Sequence, residues 1–162
     1  MNKIFKYIAV LAIGVSMAGC DAGGEPDIEG TKLQAMAGEW WINVLVEGED
    51  IGAGFNLITT SNTAANNETD LILDDGGLWP AKIITKVDLP SMAFTANPNL
   101  SNEYDADIKV SVIEGKILKG AATTPGGNKT DSLYVKFEFS DDPGTQYEYA
   151  GYRRTGFRED EH

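Results

Sequence analysis

The chain has 162 residues, a formal net charge of −12 at neutral pH and one cysteine. So large an excess of acidic side chains repels phosphate groups, which makes nucleic acids and anionic head groups poor partners. A single cysteine excludes an intramolecular disulfide, a C-x-x-C redox pair and a cysteine-rich zinc cluster.

Residues 1–19 have the composition of a secretory signal, with two early lysines, an apolar run from Ile8 to Val15 and small residues before Cys20. The apolar run is shorter than the roughly 20 residues that span a bilayer, which predicts cleavage. Met17-Ala18-Gly19-Cys20 resembles the bacterial lipobox, in which the cysteine is acylated and becomes the first mature residue. We therefore expect lipid attachment at Cys20, the alternative being an ordinary signal peptide that ends near a free cysteine.

The mature chain divides by composition into three parts. Residues 20–35 are acidic and rich in glycine, which predicts a flexible tether between lipid and domain. Residues 36–157 carry most of the apolar side chains and are predicted to form the folded domain. Residues 158–162, "REDEH", are predicted to be a charged tail.

The predicted domain alternates apolar and polar residues with a period of two, which is typical of β-strands. Leu133, Val135, Phe137 and Phe139, for example, alternate with polar residues. No window has the 3.6-residue spacing of an amphipathic helix, so we expect an all-β, antiparallel protein. The predicted strands are 39–47, 51–61, 70–74, 79–88, 91–97, 104–114, 116–122, 131–140 and 145–154.

Short strands joined by tight turns favour an up-and-down meander. A meander of this length removes its exposed edges by closing, which predicts a single antiparallel barrel of about eight strands. A two-sheet sandwich is the competing architecture. The longest break, residues 61–70, is polar and is predicted to be a loop at the barrel mouth.

A glycine, a tryptophan and a late arginine carry a first resemblance. Gly38-x-Trp40 on the first strand, with Arg153 or Arg154 near the end, resembles the arrangement of lipocalins and calycins. This resemblance implies that the tryptophan closes one end of the barrel and that an arginine packs across its ring. Because successive strand residues face opposite ways, Trp41 should then face outward and need a cover from the tether or a loop.

A second resemblance extends over nearly the whole mature chain. The segments "AGEWW", "NTAANN", "GKILKGA", "TDSLYV", "EFSDDPGT" and "GYRRTGF" resemble a family of Bacteroidetes lipoproteins described as lipid-binding putative hydrolases. The resemblance implies a calycin-like barrel in the cell envelope, tethered by lipid to the outer membrane. The acidic residues after Cys20 resemble signals for exposure at the cell surface in that phylum.

Few residues could take part in catalysis or metal binding. The only histidine, His162, lies in the charged tail, so a Ser-His-Asp arrangement is not expected. Asp70, Asp74 and Asp75 in "DLILDDGG" are candidates for an acid–base pair or for calcium ligands. Their spacing does not match an EF-hand, and solvated turn carboxylates are the preferred interpretation. We predict no catalytic residue, no metal site and no cofactor.

Aromatic and aliphatic side chains on inward strand faces are the candidates for a ligand-lining surface, and Thr59 or Thr85 could orient a ligand. The alternative is a barrel filled by its own side chains, as small barrels usually are. The candidate lining residues are Phe55, Phe94, Ile108, Val110, Val135, Phe137 and Tyr149.

Three functions remain at this point. The first is a lipid-anchored envelope protein that takes a hydrophobic small molecule or lipid, such as a fatty acyl chain, into its barrel. The second is a hydrolase that uses carboxylates on an unknown substrate. The third is a non-catalytic module that binds a partner through its outer surface. The sequence favours the first.

Overall fold

The computed structural model describes residues 30–162, so the predicted signal peptide and Cys20 lie outside the described part of the chain. Ten strands form one sheet within it. They are β1 (Gly38–Val46), β2 (Glu49–Asp50), β3 (Asn56–Asn62), β4 (Asp70–Asp74), β5 (Lys82–Asp88), β6 (Ala93–Phe94), β7 (Asn97–Ser101), β8 (Lys109–Thr123), β9 (Lys129–Phe139) and β10 (Tyr147–Arg153).

The sheet closes on itself. Every pairing is antiparallel, the order is β1-β3-β4-β5-β6-β8-β9-β10, and β10 returns to β1. The closing ladder runs from Trp40 opposite Arg153 to Val46 opposite Tyr147. The prediction of an all-β up-and-down barrel of about eight strands is therefore confirmed, and a two-sheet sandwich is excluded. β2 extends β1 as a short hairpin, and β7 adds to the edge of β8.

The interior is built by strict alternation. On β5, Ile83, Thr85 and Val87 are buried and face inward, whereas the residues between them are partly or fully exposed. The same alternation on the other strands produces one apolar cluster inside the barrel. A period of two in the sequence translates directly into one dry face because adjacent side chains leave a strand in opposite directions.

The predicted break between strands 104–114 and 116–122 does not exist. β8 runs without a break from Lys109 to Thr123, with a shift of register between Val112 and Glu114. A β-carbon on Gly115 would lie 2.8 Å from the Tyr134 carbonyl oxygen and 3.0 Å from the Phe94 ring. The glycine therefore allows a close approach of strands at a bulge, which a sequence pattern does not distinguish from a turn.

Three predicted strands begin well before the observed ones. Residues 51–55 precede β3, Trp79 precedes β5, and the stretch 104–108 is turn and bend rather than strand. Asn102 and Asp105 accept hydrogen bonds from the backbone N–H groups of Tyr104 and Asp107, at 3.1 and 3.0 Å. These local bonds compete with a β-ladder for the same donors, so the alternating pattern there does not produce a strand.

The barrel has two distinct ends. Segments 30–37, 63–69, 89–92, 124–128 and 154–162 begin at the end where Trp40 is buried, which we call the Trp40 end, and the last of them reaches Phe55 through His162 on the outside of the barrel. Segments 47–55, 75–81, 102–108 and 140–146 lie at the other, which we call the Trp79 end. The polar loop predicted for the barrel mouth thus lies at the Trp40 end, because β3 runs from Asn56 towards that end.

The packed domain begins before Met36. Leu33 and Met36 are both fully buried in the barrel cluster, although Leu33 belongs to the predicted tether. A turn with hydrogen bonds from the Met36 and Ala37 N–H groups to the Leu33 carbonyl directs both side chains inward. Two apolar side chains among polar neighbours are too weak a signal to mark this cap in the sequence.

The predicted charged tail also packs on the barrel. Arg158–Asp160 form a turn of 3-10 helix, and Asp160 is fully buried. The His162 ring stacks on Phe55 at 4.1 Å between centroids and meets Trp41 edge-on at 5.3 Å. The cover predicted for the outward face of Trp41 is thus supplied by the C-terminal segment. Within residues 30–162 no helix is long and apolar enough to cross a membrane.

Candidate functional site

The Trp40 end is closed by a tryptophan and an arginine. The Arg153 guanidinium carbon lies 4.5 Å from the centre of the fully buried Trp40 ring. Trp40 Nε1 donates a hydrogen bond of 2.8 Å to Thr60 Oγ1, which donates one of 2.6 Å to the Met36 carbonyl. A cation over a buried indole combines electrostatic attraction with apolar contact.

The Arg153 guanidinium is held by three further acceptors. Nη1 and Nη2 donate to the carbonyls of Ala37 and Ala35 at 2.7 and 3.2 Å, and Nε donates to Asp131 at 3.1 Å. Gly38 is required beside it, since a β-carbon there would lie 2.5 Å from Arg153 Nη1. The Gly38-x-Trp40 signature is thus explained by the space that one arginine occupies.

Arg154 does not take part in this closure. Its Nη1 donates to Glu39 at 2.7 Å and its Nε donates to Glu161 at 2.8 Å, on the outside of the barrel. Because successive side chains of an extended chain point in opposite directions, Arg153 faces the Trp40 ring and Arg154 faces outward. Of the residues named for the barrel closure, with Arg153 and Arg154 as alternatives, the structure brings together Gly38, Trp40 and Arg153.

The predicted lining residues have three different positions. Five of them, Phe94, Val110, Val135, Phe137 and Tyr149, are buried inside the barrel, in the apolar cluster. Phe55 lies outside, in edge contact with Tyr152 and stacked on His162, which corrects its prediction as a lining residue. Phe55 precedes β3, where the alternation does not yet set its direction. Ile108 lies at the Trp79 end.

Aromatic rings extend from the interior towards the Trp79 end. Phe137 contacts Tyr149 at 4.7 Å and Phe139 at 5.4 Å between centroids. Phe139 contacts Tyr147 at 5.2 Å, and Tyr147 contacts Trp79 at 5.2 Å. The series runs from a fully buried ring to Trp79, which is 37% exposed.

A pocket of about 120 Å³ opens where this aromatic series reaches the surface. Its lining residues are Trp79, Pro80, Asp105, Ile108, Phe139 and Asp141. An apolar cavity of about 150 Å³ holds a benzene-sized group, so this pocket accepts one short apolar group at a time. Whole drug-sized ligands need about 300 Å³ or more, which would require the surrounding segments to move apart.

A buried carboxylate holds the segment beside this pocket. Asp75 is only 2% exposed, and its Oδ2 accepts hydrogen bonds from the Tyr149 hydroxyl at 2.8 Å and the Trp79 backbone N–H at 3.0 Å. Burial, followed by the charge and hydrogen bond of Asp75, raises the pKa of Tyr149 far above its usual value, so the hydroxyl remains a donor. Asp75 therefore fixes Trp79 relative to the barrel.

Asp75 differs from the predicted solvated turn carboxylate. The neighbouring Asp74 is the turn carboxylate that the sequence predicted, and it accepts hydrogen bonds from the Gly76 N–H and the Tyr104 hydroxyl. The inward position of Asp75 follows from the barrel, which brings Tyr149 to it across 74 positions of sequence. Only the adjacent "DDGG" hinted at a special position.

Thr85 is the other unusual polar group of the interior. Its side chain is fully buried on β5, and its Oγ1 has no hydrogen-bond partner within residues 30–162. Thr59, the alternative named from the sequence, faces outward, and Thr60 takes the inward position. A buried hydroxyl without a partner costs free energy, so Thr85 marks a place where a polar group is missing from the packing.

The three candidate carboxylates, Asp70, Asp74 and Asp75, are held by separate partners. Asp74 and Asp75 have separate partners on different sides of the strand end, and Asp70 is bound to Lys86 and Asn67. Residues 30–162 contain no cluster of three histidine, cysteine or acidic side chains that could hold a metal ion. His162 contacts the Tyr152 hydroxyl on the outer surface, away from the pocket.

Comparison with known proteins places this geometry in context. None of the curated proteins matches the chain. The model of one family, described as "Lipid-binding putative hydrolase", matches residues 25–158, which include all ten strands and every pocket residue. The chain therefore belongs to this family, whose description names lipid binding before hydrolysis.

Proposed function

We propose that this protein binds a hydrophobic small molecule or lipid at the Trp79 end of its barrel. The observation that carries the proposal is the pocket formed by Trp79, Ile108 and Phe139, where an aromatic series reaches the surface. Membership of a lipid-binding family supports it. An apolar pocket with a few polar groups at its rim is the usual form of a small-molecule site.

In this proposal the ligand does not displace the side chains that fill the barrel interior. Phe137, Tyr149 and Val135 fill the interior below the pocket, with at most 2% of each side chain exposed. The apolar part of the ligand begins in the pocket of about 120 Å³ and extends outward or between the segments of the Trp79 end. A fatty acyl chain enclosed along the whole barrel axis is not compatible with this packing.

Fluorescence titration with a neutral naphthylamine probe and with octanol as competitor tests the proposal. We expect saturable binding of the probe, displacement by octanol and a change in Trp79 emission that is lost in Trp79→Phe. In Ile108→Trp the new indole occupies the pocket, so probe affinity should fall by about tenfold or more. The matched control is Leu118→Trp, which adds the same ring at an exposed position of β8 and should bind normally. Absence of saturable binding to the native chain contradicts the proposal.

We also infer that the protein is a lipid-anchored component of the cell envelope, held at the outer membrane through Cys20. Support comes from the sequence, where two lysines, an apolar run and Met17-Ala18-Gly19-Cys20 resemble a lipoprotein signal. Cys20→Ser should move the protein from the membrane fraction to the soluble fraction and abolish labelling by a radioactive fatty acid. Unchanged membrane association of that variant would contradict the anchor.

A further inference from the structure

Acidic residues are concentrated at one end of the barrel. The four segments of the Trp79 end contain nine carboxylates and no lysine or arginine: Glu47, Glu49, Asp50, Asp75, Glu103, Asp105, Asp107, Asp141 and Asp142. The segments of the Trp40 end contain Lys32, Arg154 and Arg158 beside their acidic residues. The connecting segments around the pocket therefore carry a larger excess of negative charge than those at the Trp40 end.

The carboxylates nearest the pocket are not neutralised by the lysines next to them. Lys82, at the start of β5, forms ion pairs with Glu103 at 3.3 Å and Asp74 at 3.6 Å. Lys109, at the start of β8, donates to the Ala106 carbonyl at 2.8 Å. Asp105 and Asp141, which line the pocket, form no ion pair with another described residue and are exposed.

Aromatic faces lie beside these two carboxylates. Trp79 and Phe139 line the same pocket, and Tyr147 contacts both rings at 5.2 Å. The Tyr147 hydroxyl donates to Asp142 at 2.7 Å, which keeps a further negative charge next to the ring. Aromatic faces and carboxylates around an apolar cavity form the environment that an alkylammonium group prefers.

We propose that the ligand of this pocket is a cationic amphiphile, an apolar chain that carries an amine or quaternary ammonium group. This proposal rests on the proposed function and specifies its ligand class. The alkyl part next to the cation occupies the pocket, and the ammonium lies at the rim between Asp105 and Asp141, within reach of the Trp79 face. The carboxylate of a fatty acid would meet the carboxylates around the pocket and would be repelled.

Isothermal titration calorimetry with ligands of one chain length separates the contribution of apolar contact to the binding free energy from the contribution of charge. The series is octyltrimethylammonium, octanol, octanoate and the zwitterionic octylphosphocholine, each below its critical micelle concentration. We expect octyltrimethylammonium to bind about tenfold more tightly than octanol and octanoate to bind most weakly. If octyltrimethylammonium binds most tightly, a lower affinity for octylphosphocholine than for octanol would assign the site to free cationic amphiphiles. A higher affinity for octylphosphocholine than for octanol would assign it to choline-type head groups. Both results support an ammonium site.

A double variant tests the two carboxylates. Asp105→Asn with Asp141→Asn should remove most of the preference for octyltrimethylammonium over octanol, measured as the ratio of the two affinities in the same variant. The control is Glu68→Gln with Glu114→Gln, which removes the same charge from two exposed residues outside the Trp79 end and should keep the preference. Thermal unfolding of both variants checks that the barrel is intact.

The outcomes distinguish this proposal from the one on which it rests. Equal binding of octyltrimethylammonium and octanol would overturn the charge proposal and leave the apolar pocket standing. Tighter binding of octanoate would overturn it as well. Binding of no ligand in the series would contradict the proposed function and this proposal together. An ammonium preference that survives the Asp105 and Asp141 double variant would place the cation elsewhere and overturn the assigned site.

Discussion

Arg153 and Arg154 are adjacent in the chain and have opposite tasks. Arg153 covers the Trp40 ring and satisfies two carbonyls of the N-terminal segment, whereas Arg154 pairs with Glu39 and Glu161 on the outside. The sequence indicated an arginine for this closure without deciding between the two. The choice depends on the register of β10 against β1, which places Arg153 opposite Trp40.

Arg153→Ala should therefore lower the free energy of unfolding by about 2 kcal/mol, because it removes charged hydrogen bonds and uncovers a buried indole. Arg154→Ala is the matched control and should have a much smaller effect, since exposed ion pairs contribute little. Urea unfolding followed by tryptophan fluorescence measures both. Equal losses in the two variants would show that the cation over Trp40 has no special role.

Thr85 allows a second test at the same scale. Its buried hydroxyl has no partner within residues 30–162, so Thr85→Val should raise the free energy of unfolding by about 1 kcal/mol. Thr59→Val, on the outward face of the barrel, controls for the change in β-propensity. A destabilised Thr85→Val would mean that the hydroxyl has a bonding partner such as an ordered water, and denaturant unfolding distinguishes the two results.

At the scale of elements, the C-terminal segment depends on one carboxylate. Asp160 accepts hydrogen bonds from the Gly126 N–H at 2.9 Å, Asn128 Nδ2 at 3.0 Å and the Thr155 hydroxyl at 2.6 Å. Burial alone would raise its pKa, but hydrogen bonds from Thr124, Thr155, Asn128 and Gly126 outweigh it and lower the pKa to about 2. Asp160 thereby ties the segment after β10 to the β8–β9 turn.

The lowered pKa sets the direction of a pH effect. Because the folded-state pKa of about 2 lies below the ordinary aspartate value of 3.8, Asp160 contributes stability above pH 3.8 and loses it as the pH falls towards 2. Asp160→Asn should lower the Tm by several degrees near neutral pH, with a difference from the native chain that shrinks in acid. Glu159→Gln is the control. A difference in Tm that does not depend on pH would contradict this role of the Asp160 carboxylate.

The strand boundaries differ in how well the alternation of the sequence predicts them. The alternation identified strands such as β4 and β9 well because their polar and apolar faces are uninterrupted. It failed at Gly115, where a strand glycine resembles a turn, and at 104–108, where Asn102 and Asp105 capture backbone N–H groups. Both failures come from contacts that a local pattern does not contain.

On the scale of the whole molecule, charge and aromatic surface coincide at the Trp79 end. The four segments that meet there are far apart in sequence, and each contributes acidic residues. The barrel gathers them because successive connections of an antiparallel meander alternate between its two ends. The resulting field acts over the Debye length, which is about 30 Å at 0.01 M salt and about 8 Å at physiological ionic strength.

Salt should therefore affect charged and neutral ligands differently. The affinity for octyltrimethylammonium should fall severalfold between about 0.01 M and 0.15 M salt, because screening weakens the attraction of distant carboxylates. The affinity for octanol should stay nearly constant over the same range. Titration calorimetry at both salt concentrations measures this difference. Identical salt dependence of the two ligands would indicate that the acidic end has no part in binding.

The sequence by itself determined the class of fold, the antiparallel meander and two residues of the barrel closure, Gly38 and Trp40. These follow from period-two alternation and from the short motif around Trp40, which are both local properties. The tertiary structure decided which arginine covers Trp40, that Leu33 and Asp160 belong to the packed domain, and that Phe55 lies outside. It also decided that the pocket is small and acidic at its rim. These features depend on strand register and on the meeting of distant segments, which a one-dimensional pattern does not encode.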